Sequence, residues 1–87
     1  MPGYKKLRNS GVTFVFKYDE VDDSLLHIYA RHMCGAEDAI SVFFEAEEDK
    51  WNSEFERYES QNDTHVLYWF WIDEPTQVVM VISCFRR

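Results

Sequence analysis

The stretch Thr64-His65-Val66-Leu67-Tyr68-Trp69-Phe70-Trp71-Ile72, then Asp73-Glu74-Pro75-Thr76, then Gln77-Val78-Val79-Met80-Val81-Ile82-Ser83-Cys84-Phe85, decides the fold of this chain. Two runs dense in Val, Ile, Tyr, Trp and Phe flank a tetrapeptide in which proline follows an acid. Proline presets the backbone angle that a β-turn needs there, so the stretch reads as a hairpin. Both strands are almost continuously apolar, as strands are when both of their faces are covered. Leu67, Trp69 and Trp71 share one face, and Tyr68 and Phe70 share the other. One layer of helix covers one face only, so part of this aromatic surface is expected to meet a partner or a second copy of the chain.

Upstream of the hairpin the pattern changes twice. Val12 to Tyr18 alternates, with Val12, Phe14, Phe16 and Tyr18 on one face, and predicts a strand. Residues 19–24 are a polar reversal. Residues 25–33 fit either period, and the strand reading, which makes a second hairpin with 12–18, is favoured over the helix. From Gly35 onward Ala36, Ala39, Ile40 and Phe43 recur at helical spacing, with Glu37 and Asp38 in the first turn, where carboxylates suit the helix dipole. Glu45, Glu47, Glu48 and Asp49 crowd the other end of that helix, where like charge is unfavourable. Ser53-Glu54-Phe55-Glu56 has capping-box spacing, so residues 53–60 read as a short helix or as a strand. The expected fold class is α+β: an antiparallel sheet built from two hairpins, with one helix, or two, packed on it. Residues 1–87 form one domain in this reading, and residues 1–11 are a candidate flexible basic arm.

Charge is unevenly placed along the 87 residues, and the net −7 conceals this. Residues 1–18 carry +4, residues 19–63 carry −11, and residues 64–87 are neutral. Nucleic acid is bound through clustered Lys and Arg that displace counterions, so the central segment disfavours it as a partner. A protein partner docking on the acidic segment is the sharper alternative to a merely solvated face. With 46% apolar residues the chain is expected to fold, and its longest apolar run, residues 66–72, falls far below the ~18 residues of a membrane span. A cytoplasmic protein with no membrane contact is the resulting expectation. Cys34 and Cys84 make at most one bridge and are read as reduced, buried side chains.

Few residues suggest chemistry. His27, His32 and Cys34 form a weak metal spacing, and no recognised ligand motif is present, so neither a metal nor another cofactor is expected. Cys34 beside His32, just ahead of a helix, is a candidate nucleophile, with simple packing the plainer account. His32, Arg86 and Arg87 would form a cationic acid/base pocket suited to RNA cleavage if the last strand lies near the start of the helix. Phe43, Trp69 and Trp71 are candidate walls of a small-ligand pocket.

Three stretches carry a resemblance. Phe16-Lys17-Tyr18-Asp19, Arg31-His32-Met33-Cys34-Gly35-Ala36-Glu37-Asp38-Ala39-Ile40-Ser41-Val42-Phe43 and Val79-Met80-Val81-Ile82-Ser83-Cys84-Phe85-Arg86-Arg87 resemble, in order, the first strand, the His-turn-helix and the last strand of BrnT toxins. That resemblance implies a fold like the RelE-type ribonucleases, a partner antitoxin, and catalytic roles for His32, Arg86 and Arg87. The residues themselves favour a different function: a small acidic, non-enzymatic module that binds a protein partner, or its own copy as a homodimer. Glu45, Glu47, Glu48, Asp49, Trp69 and Trp71 are its expected contact residues. The toxin and the small-ligand domain are the alternatives.

Overall fold

The computed structural model describes residues 3–87 of the chain. Six strands and two helices follow in the order β1 (Tyr4–Asn9), β2 (Val12–Lys17), α1 (His27–His32), α2 (Ala36–Glu45), β3 (Asp49–Asn52), β4 (Arg57–Gln61), β5 (His65–Asp73) and β6 (Val78–Arg86). The strands form one sheet in the order β1-β2-β6-β5-β4-β3. Every neighbouring pair is antiparallel except β2 and β6, which run parallel with Phe14 beside Val79. The fold is therefore α+β with a mixed sheet. It contains four hairpin connections, β1–β2, β3–β4, β4–β5 and β5–β6, rather than two, and a parallel pair joins the N-terminal hairpin to the other strands.

The hairpin of β5 and β6 forms where the sequence places it. Its turn lies one residue later than the tetrapeptide suggests: the Gln77 N–H donates to Glu74 O at 3.0 Å, with Pro75 in the second position. Gln77 then takes the left-handed conformation, φ 59°, that returns the chain to the sheet. Two irregularities, between Tyr68 and Trp69 and between Trp71 and Asp73, bend the ladder.

Residues 25–33 correct the expected second hairpin, because they form α1 and not a strand. Both edges of β2 are already taken, by β1 and β6, so this segment has no strand to pair with beyond a single bridge between Tyr18 and Leu26. Its reversal is built around Asp19, whose carboxylate accepts the backbone N–H groups of Val21 and Asp22 at 3.0 and 3.1 Å. Helix α1 ends at Met33, φ 57°, where the N–H groups of Met33 and Cys34 return to the carbonyls of Tyr29 and Ile28. The basic segment left as an arm is strand β1 over Tyr4–Asn9, paired along its length with β2; Met1 and Pro2 lie outside the described residues.

Residues 53–60 resolve as a turn over 53–56 followed by strand β4 from Arg57, and not as a helix. Asn52, rather than Ser53, organises the reversal: its Oδ1 accepts the N–H groups of Glu54 and Phe55, and Glu56 adopts φ 53°. Helix α2 stops at Glu45, and Ala46 is already extended. Glu47, Glu48 and Asp49 therefore lie beyond the helix, which removes most of the unfavourable charge expected at its C-terminus.

One face of the sheet holds the core. Phe14, Phe16, Leu67, Trp69, Val79, Val81 and Cys84 meet Ala39 and Val42 of α2 and Ile28 of α1, all buried. Phe43 packs edge-on against Phe14, Trp69 and Trp71. On the opposite face Val66, Tyr68, Phe70, Val78, Met80 and Phe85 are only half-buried, in line with the expectation that one helical layer leaves outward aromatic surface.

Candidate functional site

A cleft of about 900 Å³ opens where the loop after α2 meets the end of the sheet. Glu45, Glu47, Glu48, Glu59 and Asp63 line it, against Lys50 and Arg87. Its apolar floor is Val66, Tyr68 and Phe85, residues of β5 and β6 that the sheet turns away from α2. Tyr68 and Phe85 meet edge-on, with ring centroids 5.2 Å apart. The Arg57 guanidinium lies 3.8 Å over the Tyr68 ring and donates from Nε to Glu59 at 3.0 Å, so this wall is fixed before anything binds. Hydrogen bonds from Asn52, then from Arg57, hold the Glu59 carboxyl below its ordinary range.

The acids expected as contacts divide into two kinds. Asp49 accepts the Ser60 hydroxyl, and Ser60 in turn accepts the Trp69 indole N–H at 2.9 Å, so Asp49 is the exposed end of a polar chain that leads into the core. Glu45 accepts the Asn62 amide at 2.8 Å, which ties α2 to the loop before β5. Glu47 and Glu48 are exposed, and Glu48 has only a loose pairing with Lys50 at 3.7 Å. Trp69 is corrected as a contact residue by its burial, whereas Trp71 stays half-buried. Trp69 is 2% exposed and stacked on Tyr58, while Trp71 packs on Phe43 and Trp69. Alternation places both rings on the helix-covered face, and it leaves Tyr68 and Phe85 as the aromatic surface of the cleft. Phe43, Trp69 and Trp71, the walls expected of a small-ligand pocket, pack edge-on against one another.

His32, Arg86 and Arg87 reach the same end of β6 without converging. The His32 ring sits 5.7 Å from Phe85, and Arg87 donates to the Asn62 carbonyl at 2.8 Å. Arg86 faces the other side of the sheet, opposite His65 in the register. His27 and His32 do not join Cys34. His27 Nδ1 lies 3.4 Å from Asp19, which also accepts Arg31 Nε at 3.2 Å, so Asp19 anchors α1 to the end of β2.

Cys34 is instead drawn to two residues that the sequence reading did not connect with it. One donor atom each from Cys34, Asp38 and His65 lie within 4.8 Å of one another. The Cys84 thiol neighbours that of Cys34 but lies outside this group, and both cysteines are free and buried. Burial pushes the Cys84 thiol up to about 12 and raises that of Cys34 as well. A thiol with no exposed surface and a raised pKa is a poor nucleophile, so this arrangement does not support covalent catalysis by Cys34. No spacing links the four residues in sequence, and only the packing of α2 against β5 and β6 brings them together. No family model, no curated protein and no solved structure matches this chain.

Proposed function

We propose that this chain is a non-enzymatic binding module that receives a basic segment of a protein partner in the cleft at the end of its sheet. One observation carries the reading: the cleft joins the acidic loop after α2 to the outward aromatic residues of the C-terminal hairpin. These are the two features that a protein-binding role requires of this sequence. Five carboxylates against two cations attract a positively charged segment, and Tyr68 and Phe85 offer it an apolar anchor.

The test uses a fluorescent peptide of alternating Lys or Arg and aliphatic residues. Glu47→Lys with Glu48→Lys should weaken its binding by about tenfold or more, since two reversed charges amount to at least ~1.4 kcal/mol in a partly desolvated cleft. Lys5→Gln with Lys6→Gln, on the opposite edge strand, should leave it unchanged. Rising salt should weaken the wild type far more than the double charge reversal. Binding that ignores both charge and salt would remove the proposal. So would growth arrest on expression that His32→Ala relieves, because that result belongs to an RNA-cleaving toxin.

A further inference from the structure

We propose that Cys34, Asp38, His65 and Cys84 hold one zinc ion, which fastens the start of α2 to the central hairpin. The donor set is chemically suited to it: two sulfurs, one imidazole and one carboxylate are the soft and borderline ligands that tetrahedral zinc takes. In such a site neighbouring donors stand about 3.5–3.8 Å apart. Here the Cys34, Asp38 and His65 donors already lie within 4.8 Å of one another, so these three close on an ion with shifts on the order of 1 Å, and the Cys84 thiol, a neighbour of Cys34 outside that group, moves in as the fourth ligand.

The surroundings of the donors are arranged as a metal site requires. Thr64 Oγ1 lies 2.8 Å from His65 Nδ1 and 3.3 Å from Asn62 Oδ1, so it meets the Nδ1 side of the imidazole. In the tautomer a metal selects, Nδ1–H donates to this hydroxyl and the Nε2 lone pair faces the cation. Asp38 accepts the Gly35 N–H at 2.9 Å through Oδ2, which orients the carboxylate and leaves Oδ1 available. The site is closed: Cys34 and Cys84 have no exposed surface and His65 is 9% exposed, so four protein ligands leave no open position for a substrate. A structural ion follows, not a catalytic one. On binding, each thiol releases its proton to solvent and becomes a thiolate ligand.

The experiment uses the full chain, kept reduced with a phosphine and stripped with a chelator. Zinc chloride should bind at one ion per chain and raise the thermal midpoint. Cobalt chloride in its place should produce the visible bands of a tetrahedral cobalt thiolate. Cys34→Ala and His65→Gln should abolish those bands. Asp38→Asn retains an oxygen for the Gly35 N–H, so it should fold normally in chelator while binding zinc at least about tenfold more weakly. A folded wild-type protein that takes up no zinc, or shows no cobalt–thiolate bands, would overturn the proposal. An Asp38→Asn protein that binds as tightly as wild type, or zinc uptake that survives loss of Cys34 and His65, would overturn it as well.

Discussion

At the scale of single residues, Ser60 and Asp19 matter more than their positions in the sequence suggest. Ser60 accepts the Trp69 indole N–H and donates to Asp49, which joins β3, β4 and β5 by one buried hydroxyl. Ser60→Ala leaves the indole donor unpaired and should destabilise the protein by about 1–3 kcal/mol, read from urea denaturation followed by tryptophan fluorescence. Asp19 is also buried, and the Asp22 N–H, followed by that of Val21 and the charge of Arg31, keeps its pKa below the ordinary value of 3.8 in spite of desolvation. A carboxyl whose folded pKa is lowered contributes stability above its unfolded pKa and loses that contribution as pH falls through the folded one. Asp19→Asn should therefore lower the denaturation midpoint at neutral pH, and its deficit relative to wild type should shrink as pH drops below 3.8. Both roles were hidden in the sequence, where Ser60 is a polar residue in an ambiguous segment and Asp19 one of several acids in a turn.

Among the elements, the β5–β6 hairpin and helix α2 were legible because each shows one period without a competitor. Segment 25–33 fitted both periods, and neighbours decided it: β2 has no free edge, so the segment folds on itself and buries Ile28. The helix it forms has only six residues and no side-chain N-cap, so its stability rests on packing and on its C-terminal turn. Met33 sits in that turn with φ 57° and 78% of its surface exposed, paying backbone strain for little contact. Met33→Gly should raise stability by up to about 1 kcal/mol, because glycine adopts this conformation without a Cβ clash. A lower denaturation midpoint in that variant would show instead that the Met33 side chain contributes to packing.

For the whole molecule, the parallel join of β2 to β6 is the contact that closes the sheet, and β1 covers the edge that β2 would otherwise present. Strand β1 carries Lys5, Lys6 and Arg8 and no acid, a composition that discourages edge-to-edge pairing between copies. Removing residues 1–10 should leave β2, whose Val12, Phe14, Val15 and Phe16 are buried, as an unprotected edge. The shortened chain should be less stable and should self-associate at micromolar concentration, as light scattering would detect. A monomer of unchanged stability would mean that the basic strand is dispensable to the sheet. No helix among the described residues is long and apolar enough to cross a membrane.

The sequence by itself determined the α+β class, the position of the C-terminal hairpin, the start of α2 and the separation of basic, acidic and neutral segments, because periodicity, turn chemistry and charge are local properties. The parallel pairing of β2 with β6, the helical state of residues 27–32, the burial of Trp69 and the meeting of Cys34, Asp38, His65 and Cys84 were decided by the tertiary structure. Each depends on which strand edges are already occupied and on which face α2 covers. These are relations between segments far apart in the chain, and no local pattern of residues encodes them.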